Sequence, residues 1–200
     1  MSSNIAIIIL AAGASRRMGQ PKQLLEFQGE TLMARICRTA LSTECQPVVV
    51  VLGANANLIR KEIPDPGLLI VENPNWEKGM GTSLSIGINQ LLETTPEVQA
   101  AIFILVDQPL VSSQLLEEIV ATYQKSDKPI VACTYGEVIG VPALIDRSYF
   151  DRLQNIEADR GARFLIKQAL NQVEKIPFPA GALDIDRPEE WERFIKEYDG

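Results

Sequence analysis

The loop after the first apolar segment holds the residues best suited to chemistry. Residues 10–22 read LAAGASRRMGQPK, and their small side chains, with Gly13, allow backbone amides to come close to a ligand. Arg16, Arg17 and Lys22 add three cations to this short span of a chain whose net charge is −7. A polyphosphate is the ligand that such a combination of amides and cations suits.

Two common phosphate-binding fingerprints do not describe this loop. Gly13 and Gly19 lie too far apart for a Walker A loop, and Lys22 does not follow the second glycine directly with Ser or Thr. The spacing also differs from the dinucleotide-binding G-x-G-x-x-G. An ordinary strand-to-helix connection with solvated basic side chains is the alternative interpretation. The position after the first strand and the three cations favour phosphate binding.

The composition excludes several classes of enzyme. The chain contains no histidine, which excludes a Ser/His/Asp triad, a Cys/His dyad and His-based zinc hydrolysis. Its cysteines form no C-x-x-C pair, so we expect neither a disulfide framework nor a zinc site. The negative net charge would repel a polynucleotide, and we therefore expect no nucleic-acid partner.

Length and apolar content predict a single domain spanning residues 1–200. With 46% hydrophobic residues, a chain of 200 residues can bury one core. The longest apolar run, Ile5 to Ala12, is far shorter than the roughly 20 residues that cross a bilayer. The start at Met1 lacks the pattern of a secretory signal. We therefore expect a cytoplasmic protein with no membrane partner.

Apolar strands alternate with helical patterns along the chain. Asn4 to Ala12 and Val48 to Leu52 are apolar almost throughout, which is typical of parallel strands buried on both faces. The alternation predicts an α/β three-layer sandwich with a Rossmann-like, mostly parallel sheet. Further strands are predicted at 68–71, 101–106, 129–133 and 141–145, and helices at 29–42, 55–63, 82–92, 113–123 (capped by Ser112 or Ser113), 147–153 and 162–170.

This fold class indicates where a ligand should bind. Ligands of open α/β sheets lie beyond the carboxyl ends of the strands, which favours the loops after Ala12, Val71 and Val106. The segment from Cys133 to Ala143 contains two glycines and a proline and does not alternate cleanly. It predicts an antiparallel excursion at the edge of the sheet.

Four segments in order resemble one family across almost the whole chain. LAAGASRRMGQPKQLLEFQGETL, at 10–32, resembles the signature L-A-A-G-x-S-x-R-M-G-x-x-K-x-L of the MobA-like NTP transferases. Within that group the chain is most similar to the molybdenum cofactor cytidylyltransferases, and the implied fold is of the nucleotide-diphospho-sugar transferase type. The later matching segments are 73–84, 105–110 and 184–189.

The resemblance implies roles for individual residues. Backbone groups around Gly13 would contact the nucleotide, Arg17 and Lys22 would bind its phosphates, and Gly81 and Ser83 would lie near the base or sugar. The catalytic residues would be Lys22, Arg17 and Asp107. The full set implied to bind the nucleotide is Leu10, Ala11, Ala12, Gly13, Ser15, Arg16, Arg17, Lys22, Gly81 and Ser83.

The resemblance also implies that Asp107 and Asp186 hold magnesium. The residues agree with this, because a hard divalent ion prefers carboxylate oxygens together with phosphate oxygens and water. Taken singly, Asp107 is equally well a turn residue ahead of Pro109, and Asp186 an N-cap of a helix that begins near Pro188. Together, in a phosphate-binding sandwich, the two aspartates favour the ion.

The implied reaction moves a nucleoside monophosphate from a nucleoside triphosphate, with CTP favoured, to a small phosphorylated acceptor such as the molybdopterin cofactor. Two segments depart from the family pattern: Gly140-Val141-Pro142 lacks the histidine or threonine of many relatives, and Asp186-Arg187-Pro188 replaces D-T-P. Two alternatives therefore stay open. One is a sugar- or polyol-phosphate acceptor, and the other is a non-catalytic accessory protein for a molybdenum hydroxylase apoenzyme.

A third segment leaves its own alternatives open. Glu157 to Arg163 resembles the family's G-D-x-G-A-R. One interpretation is a capped helix start, with Asp159 as the cap. The other is contact with the acceptor through Arg160 and Arg163.

Overall fold

A seven-stranded sheet lies at the centre of the computed structural model, which describes residues 4–64, 67–183 and 185–198. Asp184 of the fourth family-like segment and the start at Met1 lie outside the described residues. The strands follow the order β5-β4-β1-β6-β8-β7-β9. Their bounds are β1 Ile5–Ala11, β4 Val48–Leu52, β5 Leu68–Glu72, β6 Ala100–Leu105, β7 Ile130–Tyr135, β8 Val138–Asp146 and β9 Val173–Pro177, and a separate hairpin joins β2 Glu26–Phe27 to β3 Glu30–Thr31.

Helices cover both faces of this sheet. Alternate residues of β1 point to opposite sides, so Ile7 and Ile9 join one apolar cluster while Ile8 and Leu10 join the other. The first cluster includes residues of α1, α4 and α7, and the second includes residues of α3, α5 and α6. The predicted three-layer α/β sandwich is confirmed. The helices are α1 Leu32–Leu41, α2 Ala56–Ile59, α3 Met80–Thr94, α4 Ser113–Lys125, α5 Phe150–Gln154, α6 Ala162–Gln168 and α7 Pro188–Tyr198.

Strand β8 corrects the prediction of an edge excursion. It is antiparallel, as expected, but it pairs with β6 on one side and β7 on the other and therefore lies inside the sheet. The register shifts between Ala132 and Cys133, which pair with Ala143 and Gly140. Pro142 has no N–H to donate, and this bulge accommodates it where a regular ladder would not.

Two small elements were absent from the sequence prediction. Strand β9 reads VEKIP, and its mixed polar and apolar residues suit a strand at the edge of the sheet, parallel to β7. The β2–β3 hairpin has only two residues in each strand, too few for a periodic pattern. Helix α4 begins after Ser112, whose hydroxyl accepts the Leu115 N–H at 3.3 Å as predicted. No helix within the described ranges is long and apolar enough to cross a membrane.

The close packing of α3 on the sheet gives a first prediction. A Cβ on Gly87 would lie 2.9 Å from Cγ2 of Ile8 and 3.0 Å from Cγ2 of Val51. Overpacking of this kind costs about 1–3 kcal/mol, which outweighs the usual helical advantage of alanine over glycine of roughly 0.5–1 kcal/mol. We expect Gly87→Ala to lower the midpoint of thermal unfolding by several degrees, measured by circular dichroism. Gln90→Ala on the same helix is the control, and a raised midpoint for Gly87→Ala would contradict the packing argument.

Candidate active site

A cavity of about 400 Å³ opens at the carboxyl ends of β1 and β6 and the start of α3. This is the edge of the sheet where the fold class predicts a ligand. The cavity brings together every predicted site residue except Gly81: Leu10, Ala11, Ala12, Gly13, Ser15, Arg16, Arg17, Lys22, Ser83, Asp107 and Asp186. The remaining lining residues are Gln23, Trp76, Gly79, Met80, Leu105 and Val106.

Lys22 lies at the centre of the charged groups in this cavity. Its side chain is only 10% exposed, and its ammonium donates to Asp107 Oδ2 at 3.2 Å and to Asp186 Oδ1 in a short contact. A 3₁₀ turn, Lys22–Leu24, carries it, and the Lys22 N–H donates to Ser15 Oγ at 3.0 Å. One ammonium thus joins two carboxylates that come from distant parts of the chain.

The charges of this cluster stabilise one another. Burial alone would lower the pKa of Lys22, but Asp107 and Asp186 outweigh that effect, and the pKa lies above its ordinary value. The hydrogen bond from Lys22 outweighs burial at Asp186 and, with the nearby charge of Arg17, lowers the pKa of that carboxyl group. Arg17 Nη2 lies 2.6 Å from Asp186 Oδ2. At neutral pH both carboxylates therefore meet protonated partners.

The two aspartates are placed to share a cation. Because both contact the same Nζ atom, their nearest oxygens lie within about 6 Å of each other, the sum of two hydrogen-bond lengths. Within the described residues, no group of three or more His, Cys, Asp or Glu side chains is placed to hold a metal. A divalent ion between Asp107 and Asp186 would complete its shell with phosphate oxygens and water, which suits magnesium or manganese. In the structure the Lys22 ammonium lies between these two carboxylates.

The alternative role of Asp186 as a helix N-cap is not what the structure shows. Its carboxylate is directed to Lys22 and Arg17. Asp107 lies in the turn that follows β6 and also lines the cavity, so it is a turn residue and a cavity residue at once. Asp159 likewise does not cap α6, because the N-cap residue is Gly161 and no side chain caps it.

The shape of the small-residue loop is fixed by bonds to its carbonyl groups. The Gln23 amide donates to Ala11 O at 2.8 Å and to Gly13 O at 3.1 Å, and the Ala54 N–H donates to Ala12 O at 3.0 Å. In a trans peptide the N–H points away from its own carbonyl, so these three bonds also set the directions of the next three amides. Gln23 was missed by sequence reasoning; its only signal is its place directly after Lys22.

A second glycine allows this loop to approach its neighbours closely. A Cβ on Gly53 would lie 2.7 Å from Ala12 O and 2.7 Å from Trp76 Cβ. No real side chain fits at that separation, so glycine is required where the segment after β4 crosses the small-residue loop.

Gly81, at the start of α3, lies outside the cavity. Its N–H donates to Ala158 O at 2.9 Å, and a Cβ there would lie 2.3 Å from Glu157 O. Its close backbone approach therefore serves the packing of α3 against the 157–161 loop. Ser83 does line the cavity, and its hydroxyl accepts from the buried Asn73 amide at 2.9 Å.

The arginines of the 157–163 segment lie away from the cavity lining. Arg160 pairs with Glu157 at 3.3 Å and lies over the Phe164 ring at 4.5 Å. Arg163 is exposed on the first turn of α6. Contact of either side chain with an acceptor remains a prediction.

The sequence profile of the MobA-like NTP transferase domain matches residues 7–173. The chain belongs to the MobA-like NTP transferase family. Among its relatives in this family, the nicotine blue oxidoreductase of Paenarthrobacter nicotinovorans is 32% identical over 173 residues, which cover 80% of each chain. Purine catabolism protein PucB of Bacillus subtilis is 29% identical over 204 aligned residues, which cover 92% of this chain and 93% of PucB.

Solved structures share this fold. The crystal structure of a homologue of Mycobacterium tuberculosis Rv0371c, from Mycobacterium sp. strain JC1, has a TM-score of 0.82 and 28% identity and covers 100% of this chain and 98% of that one. The manganese complex of Rv0371c from M. tuberculosis H37Rv has a TM-score of 0.76 and 25% identity, with coverage of 96% and 98%. The chain is a nucleotidyltransferase of this family.

The position of the Lys22 ammonium gives a prediction about metal binding. In Lys22→Ala the two carboxylates lose their shared cation, so a divalent ion no longer has to displace it. We expect this variant to bind Mn²⁺ in the absence of nucleotide roughly tenfold more tightly than the unaltered protein, measured by isothermal titration calorimetry; a tenfold change corresponds to about 1.4 kcal/mol. Asp127→Ala, at an exposed position outside the cavity, is the control. Equal Mn²⁺ affinity for Lys22→Ala and the unaltered protein would contradict competition between ammonium and metal.

Proposed function

We propose that this nucleotidyltransferase transfers CMP from CTP to a molybdopterin-type cofactor, in the cytoplasm, and releases pyrophosphate. The observation that carries the proposal is the arrangement of Lys22 and Arg17 beside Asp107 and Asp186, in the cavity that the small-residue loop lines. Cations for a triphosphate and carboxylates for a divalent ion meet there in one cavity. The preference for CTP rests on the resemblance of the 10–32 segment to the cytidylyltransferases.

The reaction needs positioning and charge neutralisation more than acid–base chemistry. An acceptor phosphate oxygen, already an anion, attacks the α-phosphorus in line and forms the new P–O bond. The bond from the α-phosphorus to the oxygen bridging the β-phosphate breaks, and pyrophosphate leaves with that electron pair. Lys22 and Arg17 would neutralise the charge that develops on the leaving group.

Each charged group has a distinct part in this mechanism. Asp107 and Asp186 would hold magnesium, which when bound polarises the α-phosphate and orients the triphosphate. Lys22 would turn from the carboxylates to the phosphates as the nucleotide arrives. Arg16 lies at the cavity mouth, 3.6 Å from Glu77 and largely exposed, so it can reach the phosphates with little loss of internal contacts.

Asp107 provides the mechanistic prediction. Its carboxylate is partly exposed and contacts the Lys22 ammonium at the cavity surface, so Asp107→Ala should fold normally. We expect turnover with Mg²⁺ to fall by about two to three orders of magnitude, as when a group that stabilises developing charge is removed. The measurement is pyrophosphate release from CTP plus acceptor, with circular dichroism to verify folding and Asp127→Ala as the surface control. Normal turnover of Asp107→Ala would remove this aspartate from the mechanism.

Two alternatives from the sequence keep the same donor site but differ in the acceptor or in the outcome of binding. A sugar or polyol phosphate as acceptor would leave the Lys22, Arg17 and Asp107 chemistry unchanged. A non-catalytic accessory protein would bind nucleotide or cofactor and pass it to a molybdenum hydroxylase apoenzyme. The retention of Lys22, Asp107 and Asp186 in one cavity favours catalysis over that accessory role.

A redox function is a further candidate, because the relative from P. nicotinovorans is named as an oxidoreductase. Burial raises the pKa of Cys37 and of Cys133 to about 12 and also raises the pKa of Cys45, so none of the three thiols is readily ionised. A redox reaction in this chain would therefore need an added electron donor, such as a reduced nicotinamide nucleotide.

One set of assays separates these functions. Pyrophosphate release is measured with CTP, GTP, ATP and UTP, each with molybdopterin-type cofactor, a sugar phosphate, a polyol phosphate or no acceptor. We expect release to be fastest, by at least about tenfold, with CTP and the molybdopterin-type cofactor. Release with another acceptor would transfer the proposal to that acceptor, and binding without release would favour the accessory role. Acceptor-dependent oxidation of NADH or NADPH without pyrophosphate release would favour the redox function.

A further inference from the structure

Asp186 reaches the cavity from a segment outside the family match, which ends at residue 173. The segment follows β9, passes through a 3₁₀ turn at Pro179–Ala182 and enters α7 at Pro188. Asp186 itself belongs to no helix or strand. Helix or strand hydrogen bonds therefore do not fix the backbone that carries its carboxylate, and a side-chain contact can do so.

The Glu190 carboxylate makes that contact. Its Oε2 atom accepts the Asp186 N–H at 2.7 Å and the Arg187 N–H at 2.9 Å. Two adjacent peptide groups are thus fixed by one side chain on the first turn of α7. The two N–H groups lie on either side of the Asp186 Cα, so an acceptor oxygen at residue 190 holds the backbone on both sides of it.

Helix α7 is in turn fixed to the element that carries Lys22. Phe194 is 2% exposed and packs edge-on against Phe27 of the β2–β3 hairpin, with ring centroids 4.7 Å apart. The hairpin begins at Glu26, and only Leu25 separates it from the 3₁₀ turn that holds Lys22. The packing of α7 on the hairpin therefore sets the position of the Asp186 segment relative to Lys22. Glu190 links α7 to the backbone that carries the Asp186 carboxylate.

We propose that Glu190 is a positioning residue that holds Asp186 for the divalent ion. The inference rests on the proposed function for the role of Asp186. Glu190 does not line the cavity, so it acts through Asp186 and not on substrate. Its own negative charge lies near that of Asp186, and Lys22 and Arg17 offset the repulsion.

A purely structural role is the competing explanation. An acidic residue at the third position of a helix often accepts an N–H at the helix start, as half of a capping box. In that case Glu190 would affect only the stability of α7. The positioning role differs because it predicts weaker metal binding, and because it requires an acceptor oxygen at residue 190 without requiring a charge.

The test compares Mn²⁺ binding by isothermal titration calorimetry in the presence of a non-hydrolysable CTP analogue. Glu190→Ala and Glu190→Met remove the acceptor, and the second keeps the length of the side chain. Glu190→Gln keeps an acceptor oxygen without the charge, and Glu189→Ala removes a neighbouring exposed acid from the same turn. Asp186→Ala reports the contribution of the carboxylate itself. Thermal unfolding of every variant is recorded in parallel.

Loss of an outer group that orients a metal ligand commonly weakens metal binding about 10- to 100-fold. We expect Glu190→Ala and Glu190→Met to weaken Mn²⁺ binding within that range and to lower kcat by a similar factor, with KM for CTP changed less than about twofold. Glu190→Gln and Glu189→Ala should stay close to the unaltered protein.

Two different failures are distinguishable. If Asp186→Ala weakens Mn²⁺ binding while Glu190→Ala and Glu190→Met do not, the positioning role is overturned and the proposed function stands. If Asp186→Ala itself binds Mn²⁺ normally, the metal role of Asp186 is wrong and the Glu190 proposal fails with it. Lower thermal stability with unchanged metal binding in both acceptor-free variants would assign Glu190 to helix capping alone.

Discussion

The candidate active site depends on one ammonium group held between two carboxylates. Lys22 lies 85 residues from Asp107 and 164 residues from Asp186 in the chain, and it contacts both. Two carboxylates this close repel each other strongly unless a cation separates them, especially where water is partly excluded. Lys22 supplies that cation. We propose that a bound triphosphate draws the Lys22 ammonium to its anionic oxygens, and that a divalent ion arriving with the nucleotide then replaces the ammonium between the aspartates.

The fold provides this arrangement through its sheet and its tight crossings. Strands β1 and β6 are adjacent and parallel, so the loop carrying Lys22 and the turn carrying Asp107 emerge at the same edge. Gly53 allows the segment after β4 to pass against the small-residue loop at a separation that no side chain permits. Asp186, the third charged group, comes from the segment before α7 and not from this edge of the sheet. Its position depends on the packing of α7 against the β2–β3 hairpin.

Sequence reasoning succeeded where the signal is local. The apolar segment before Gly13 predicted β1, and the position of Asp107 after β6 followed from the apolar run that precedes it. The predicted nucleotide and metal residues meet in one cavity because loops at the carboxyl ends of neighbouring parallel strands converge there. What each of those residues binds remains a prediction.

Other features depend on contacts between distant residues and left little trace in the sequence. The segment from Cys133 to Ala143 predicts an edge excursion because its glycines and Pro142 break the alternation, whereas a bulge against β7 lets β8 continue inside the sheet. Gly81 resembled a ligand-binding glycine, but only the approach of Glu157 and Ala158 shows why a side chain is excluded there. The side chains of Gln23 and Glu190 form hydrogen bonds with backbone groups of the adjoining loops. The spacing of apolar residues in the sequence does not predict such contacts.

The most direct measurement is a crystal structure with a non-hydrolysable CTP analogue and Mn²⁺, in which anomalous scattering locates the metal. We predict Mn²⁺ bound by both Asp107 and Asp186, with the Lys22 ammonium moved from the carboxylates to the phosphates. A structure with nucleotide bound, Lys22 still between the two aspartates and the metal elsewhere would contradict the exchange of ammonium for metal.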